Sequence, residues 1–174
     1  MRESMGGAWL FGIVIIFVFL FSGFLAYSIS YTKAFNLKNK IVNLIEEFDG
    51  YSEGENEVGP EGNKHKSVET MSKEYVEELG YNYGATQDIK CIGTQVGGSR
   101  NEIKKYGYCV VKYCTQNNDG ALDDMSNTHY KITTYIALKL PVVNLTAKIP
   151  ISGETRTIYS DTGGYPCTGN TDLD

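Results

Sequence analysis

The hydrophobic pattern of this chain is dominated by its N-terminal end. Residues 5–29 carry no charge, and at about 1.5 Å per residue in a helix they reach roughly 37 Å, enough to cross a hydrocarbon core of about 30 Å. Trp9 lies near one end of this run, and Tyr27 and Tyr31 lie near the other. Because aromatic rings of this kind favour the two membrane interfaces, the pattern predicts a transmembrane helix half over residues 1–31.

Two other interpretations of this apolar run exist. One is a secretory signal cleaved near the small residues Ala26 and Ser28, and the other is an unusually apolar core helix of a soluble protein. The run is longer than the apolar core of a usual signal, about 7–15 residues. The leader before it has one basic side chain, Arg2, beside the acidic Glu3. We therefore expect the segment to be retained.

Beyond the apolar run, the helical pattern continues and becomes one-sided. The apolar stripe begins at Ala34, and its later members recur at three- and four-residue spacing, with polar residues opposite. Five of them are predicted to dock against a head domain: Leu37, Ile41, Leu44, Ile45 and Phe48. No proline interrupts residues 6–48, so we expect one continuous helix, with an amphipathic half over residues 32–49 and a stop at Gly50.

Small residues recur every four positions near the end of the apolar half. Ser22, Ala26 and Ser30 leave a shallow strip, where a second helix can approach closely. Chance placement of small residues in an apolar run is the alternative. The strip is the candidate surface for helix assembly.

The remainder, residues 50–174, has the size of one domain. Residues 50–66 are rich in glycine and polar residues, and we expect a connecting loop there. A short helix follows, with Ser67 as its cap and Gly80 at its end. Its buried edge is predicted to consist of three residues: Met71, Tyr75 and Leu79.

Strand patterns follow the short helix. The clearest covers residues 130–140, where apolar and polar positions alternate with a period of two. Residues 145–159 are predicted to return as a second strand, in which Pro150 and Gly153 mark a bulge or an edge position. Two further strands are predicted over residues 88–95 and 106–113. The fold class is therefore α+β, with a long N-terminal helix packed on a small antiparallel sheet.

Cysteine usage bears on where the head domain resides. Four cysteines, an even number in a loop-rich region, favour disulfides in an oxidising compartment. They are Cys91, Cys109, Cys114 and Cys167. Free thiols are one alternative, and a zinc site is another, although the chain has no Cys-x-x-Cys pair. All three disulfide pairings are open at this stage.

The basic residues around the span favour the opposite topology. Lys33, Lys38 and Lys40 follow it and Arg2 precedes it, so a count of positive charges alone would keep the C-terminal part inside the cell. We give the cysteines more weight. The expected topology is a single-pass membrane protein with a cytoplasmic N-terminus and an extracellular, disulfide-stabilised head.

Charge and motifs bear on the remaining function classes. The net charge is −5 with a pI near 5.1, so nucleic acid is not an expected partner. Two histidines and the absence of the common catalytic motifs indicate no enzyme, no cofactor and no evident small-molecule substrate. A weak calcium candidate comprises Asn117, Asp119 and Asp123. Because the twelfth loop position is Ser126 and not glutamate, a solvated turn is the favoured interpretation.

The architecture resembles TadE/TadF-like pseudopilins of tight-adherence pilus systems and, more loosely, the type IV pilin superfamily. The resemblance lies in the span that runs into an amphipathic helix over the first 48 residues. It also lies in the pattern Tyr-x-Ile-Thr-Thr-Tyr…Leu-Pro-Val-Val…Ile-Pro-Ile-x-Gly-Glu-Thr of residues 130–155. A processed type IV prepilin has a glycine immediately before its span and a glutamate five residues into it, whereas here Glu3 lies ahead of Gly6 and the span contains no glutamate.

The resemblance implies a membrane-held structural subunit that is drawn into a filament or primes one. Its partners would be the membrane and copies of itself or other pilin-like subunits, and an extracellular filament would be the assembled form. The alternative from the same features is a single-pass, membrane-anchored extracellular binding domain.

Overall fold

The structure is a computed structural model that describes residues 2–53, 57–58, 64–80, 106–114, 128–139 and 146–159. Two helices and five strands occur in these ranges. In chain order they are α1 (Arg2–Glu47), β1 (Glu57–Val58), β2 (Lys64–His65), α2 (Val68–Glu78), β3 (Tyr108–Cys114), β4 (Thr128–Lys139) and β5 (Thr146–Glu154). The α+β class, the long N-terminal helix and the small antiparallel sheet are confirmed.

Helix α1 is a single helix of 46 residues. It ends in a Schellman-type turn, in which the Gly50 N–H donates to the carbonyl of Ile45 at 3.0 Å. The residue with left-handed backbone in this turn is Asp49, whose φ is 49°. The predicted stop is therefore correct in place, but the left-handed position falls on Asp49, because aspartate tolerates this conformation better than most residues.

The three longest strands form one antiparallel sheet in the order β3-β4-β5. Burial alternates over residues 128–136 of β4, with Tyr130, Ile132 and Ile136 fully buried, as the period of two predicted. Strand β5 is an edge strand, which suits Pro150 because proline has no N–H for a further ladder. Its pairing with β4 is continuous from Thr146 to Glu154. The bulge alternative and the extension of this strand to residue 159 are therefore wrong.

The core lies between the second half of α1, helix α2 and one face of the sheet. It is formed by apolar side chains from all of these elements: Leu37, Ile41, Leu44, Ile45, Tyr51, Val68, Val76, Tyr108, Val110, Tyr130, Ile132 and Ile158. Strand β3 is buried along its whole length, including the side chain of Lys112. A half-exposed sheet would show alternation instead, so β3 is covered on both faces.

The start of helix α2 is hydrogen-bonded to Ser52, which lies shortly after the end of α1. The Val68 N–H donates to Ser52 Oγ at 3.0 Å, and the Glu69 N–H donates to the Ser52 carbonyl at 3.1 Å. The Thr70 N–H donates to Oγ of the predicted cap Ser67 at 3.2 Å. Two serines from different segments thus satisfy N–H groups that a helix start leaves without intrahelical acceptors.

Two expectations for residues 50–80 need correction. The predicted connecting loop contains an antiparallel pair, β1 with β2, and its first residue after Gly50, Tyr51, is part of the core. In α2 the fully buried row is Val68, Ser72 and Val76, and the predicted edge residues pack half-buried beside it. Ser72 is tolerated there because its hydroxyl donates to the Val68 carbonyl at 2.7 Å. A search for apolar spacing does not identify such a serine.

Several predictions fall on residues outside the described ranges. They are the strand over residues 88–95, Cys91, Cys167 and the calcium candidate at Asn117, Asp119 and Asp123.

Candidate assembly surface on the N-terminal helix

The two halves of α1 differ in what surrounds them. Every described side chain from Trp9 to Ile29 is exposed or half-buried, whereas Ala34, Leu37 and Ile41 are fully buried. Within the described residues, α1 is the one helix long and apolar enough to cross a membrane. Because its apolar half is not packed inside this chain, the interpretation as a soluble core helix does not fit.

The strip of small residues lies on this exposed half. Ser22 and Ala26 are exposed, and Ser30, the member closest to the head, is half-buried. Residues four apart lie on the same side of a helix, so the three positions form one shallow track about 12 Å long. Such a track lets a second backbone approach closely in a membrane.

An aromatic row runs beside the strip where α1 leaves its apolar run. Tyr27 and Tyr31 have ring centroids 6.2 Å apart, and Tyr31 stacks on Phe35 at the same separation. The ammonium of Lys38 then lies 4.4 Å from the centroid of the Phe35 ring. This series from tyrosine to lysine is typical of a helix that crosses from lipid through the interface into water.

The predicted head-docking residues lie in the interface between α1 and the rest of the chain. Leu37, Ile41, Leu44 and Ile45 are buried in the core, and Phe48 is half-buried against it. A hydrogen bond fixes the register of this contact, because Thr134 Oγ1 of β4 donates to the Ala34 carbonyl at 3.1 Å. Thr134 is fully buried. The period of two over residues 130–140 puts Thr134 on the same face as Ile132 and Ile136, but it does not predict this bond.

Gly153 of β5 makes room for the one charged residue within the docking stripe. A Cβ at Gly153 would lie 2.8 Å from Cδ of Lys38, closer than side chains tolerate. The aliphatic stem of Lys38 therefore lies across the glycine, while its ammonium meets the Phe35 ring. The sequence predicted a bulge or an edge position at Gly153. Glycine is required here because the Lys38 side chain approaches closely, and not because the strand has a bulge.

Charges from other segments reach the C-terminal ends of both helices, neither of which has a basic residue in its own last turn. The Arg156 guanidinium donates to the Glu46 main-chain carbonyl at 3.0 Å, and the main-chain N–H of Arg156 donates to Glu46 Oε1 at 2.7 Å. At the end of α2, Lys33 Nζ lies 4.0 Å from where a Cβ at Gly80 would be. Cations at helix C-termini are favourable because they oppose the helix dipole.

The two described cysteines stand near the two ends of β3. Cys109 and Cys114 are five residues apart, about 17 Å along a strand, whereas a disulfide requires Cα atoms within about 7 Å. They cannot bond to each other, so two of the three possible pairings remain. Neither is a free thiol in the part of the chain that the structure describes. Their pairing with Cys91 and Cys167 stays a prediction.

We expect the intact protein to contain no alkylatable cysteine. Iodoacetamide treatment of unreduced, denatured protein should leave all four cysteines unmodified, and reduction should expose all four. Trypsin can cut after Lys112, between Cys109 and Cys114, so unreduced peptide mapping assigns each sulfur to its partner. Quantitative labelling without reduction would contradict both the disulfides and the extracellular placement of the head.

Titratable groups in the described ranges do not form a metal-binding cluster. No group of three or more His, Cys, Asp or Glu residues there could hold a metal ion. The His129 ring stacks on Tyr113 with centroids 5.5 Å apart. Burial raises the pKa of the Tyr135 phenol above its ordinary value, because the charged phenolate would be poorly solvated. That phenol is therefore neutral at physiological pH.

Comparison of the chain with protein-family models, curated proteins and solved structures finds no match. The resemblance to pilin-like proteins therefore depends on the architecture and on the sequence patterns of the first 48 residues and of residues 130–155.

Proposed function

We propose that this protein is a pilin-like structural subunit of a bacterial surface filament or of its assembly machinery, held in the membrane by α1 and associating through it. One observation supports this best. The described side chains of the apolar half of α1, from Trp9 to Ile29, are exposed or half-buried, yet this half continues without a break into one that is buried under the sheet. A continuous helix of this kind fixes the position of the head relative to the membrane segment, and its exposed half can pack laterally with other helices.

The continuity of α1 also supports retention of its apolar half. Cleavage near Ser28 would cut the helix close to Thr32, whose hydroxyl donates to the Ser28 carbonyl at 2.9 Å. It would also split the row from Tyr27 to Phe35. The proposed topology keeps the N-terminus in the cytoplasm and the head outside the cell.

Replacing Ala26 by isoleucine tests assembly through the strip. The variant keeps the span apolar but fills the track, so we expect co-purification of differently tagged copies in mild detergent to fall about tenfold, equivalent to ~1.4 kcal/mol. The amount of protein in the membrane should not change.

Ser28→Ile is the matched control. Ser28 is exposed and lies about 200° around the helix from Ala26, so a similar increase in bulk, to the same isoleucine side chain, falls on the opposite side. It should leave association unchanged. If Ala26→Ile also retains full association, both in detergent and in cells, the anchored binding domain becomes the better account. Electron microscopy of material sheared from cells then tests whether the associated form is a filament.

A further inference from the structure

We infer that the end of the β4–β5 hairpin, residues 137–139 of β4 and 146–149 of β5, rests in the lipid headgroup layer beside α1. This inference depends on α1 spanning a bilayer, as proposed above. It does not depend on association between copies.

Three contacts show that β5 runs parallel to α1 and nearly alongside it. Arg156 meets Glu46, Gly153 meets Lys38, and Ile151 is the register partner of Thr134, which bonds to Ala34. From Arg156 to Ile151 a strand covers about 16 Å, and from Glu46 to Ala34 a helix covers about 18 Å. Between the same contacts, the strand and the helix therefore cover nearly equal distances toward the membrane, as expected for elements that lie side by side.

Beyond these contacts, the hairpin continues in the same direction. Ile149 is two residues past Ile151, about 7 Å along the strand, and this brings it level with Ile29 of α1. Strand β5 begins at Thr146, about 10 Å further toward the membrane, opposite Lys139 of β4. The hairpin thus passes the level at which the uncharged run of α1 ends.

The dimensions of a bilayer restrict the depth at which the level of Ile29 and Ile149 can lie. A span of about 20 residues, placed anywhere within residues 5–29, has its outer boundary between about residues 24 and 29, and the headgroup layer adds about 5–8 Å. The level of Ile29 falls in that layer for either extreme. Thr146, about 10 Å deeper, stays at the edge of the hydrocarbon only when the boundary lies near residue 24. We place the boundary there, because an open sheet edge is not tolerated in hydrocarbon. Ile149 is an apolar side chain with 37% of its surface exposed. Lys139 and Lys148 belong to the same hairpin end, and cationic residues are favoured beside anionic headgroups.

Depth-dependent quenching of a single tryptophan tests the inference. Trp9 is the one native tryptophan, so Trp9→Phe gives a background for three reporters: Ile149→Trp, Tyr159→Trp and Ile16→Trp. Each full-length variant is placed in nanodiscs of phosphatidylcholine and phosphatidylglycerol in equal parts, with a nitroxide on the headgroup or on the acyl chain. Tyr159 is the matched control, because it lies at the far end of the sheet with 74% exposure.

We expect the headgroup nitroxide to remove most of the emission of Ile149→Trp and to leave that of Tyr159→Trp unchanged. Ile16→Trp should be quenched by the acyl-chain nitroxide, which establishes the span itself. If Ile16→Trp is quenched but Ile149→Trp behaves like Tyr159→Trp, the inference is wrong and the membrane span stands. If Ile16→Trp is not quenched, both the span and the inference are wrong. Pro150→Trp, at the exposed next position, replaces Ile149→Trp if that variant does not fold.

Discussion

Ile41→Asp should unfold the head domain or bring it close to unfolding. Ile41 is fully buried between α1 and the sheet. The substitution removes an apolar side chain from the core and places a carboxylate where water does not reach it. The two effects together should lower the free energy of unfolding by about 4 kcal/mol or more, a large part of the stability of a small domain. Urea unfolding in mild detergent, followed by tyrosine near-UV circular dichroism, measures the loss.

Asn43→Asp is the control for charge alone. Asn43 is exposed two residues further along the same helix, so its change should stay within about 0.5 kcal/mol. The deficit of Ile41→Asp relative to wild type should shrink as the pH falls toward about 4, the ordinary carboxyl pKa. Burial raises the folded-state pKa of the new carboxyl, so the folded state binds a proton more tightly than the unfolded state, and stability is lost as pH rises. An equal loss in both variants would contradict docking of α1 through this stripe.

Tyr51→Ala should have the next largest effect. Tyr51 follows α1 directly and is 2% exposed within the core. Truncation of a buried aromatic residue to alanine costs about 3–5 kcal/mol, because contacts are lost and a cavity remains. The same urea measurement gives the change in unfolding free energy.

Tyr159→Ala makes the same chemical change at an exposed position. With 74% of its surface exposed, Tyr159 should contribute less than about 0.5 kcal/mol. A small effect for both tyrosines would show that the turn after α1 is not part of the folded core. A large effect for Tyr51 alone is the expected result.

The elements with strong periodic patterns were predictable from the sequence. Helix α1 was predicted as one unbroken helix, and the buried face of β4 followed from its alternation, because these periods fix which side chains share a side. The positions of Ser67 and Gly80 around α2 also followed from local chemistry. Such signals come from residues that are near each other in the chain.

The candidate assembly strip is a different case. Ser22, Ala26 and Ser30 were identified by spacing, and the structure places them on the outward half of α1. One chain by itself has no neighbour against which the strip could pack. The strip therefore stays a prediction until association is measured.

The sequence by itself determined that α1 is a long helix with an apolar half and a one-sided half, and that an alternating strand follows late in the chain. The tertiary structure decided what meets that helix. Tyr51 and Ser72 are buried, Arg156 reaches the end of α1, and the Lys38 stem fills the space over Gly153. Each depends on atoms that folding brings together from distant parts of the chain or on which side of a turn faces the core. Periodicity within one segment cannot specify such contacts, because it records which residues share a face but not what covers that face.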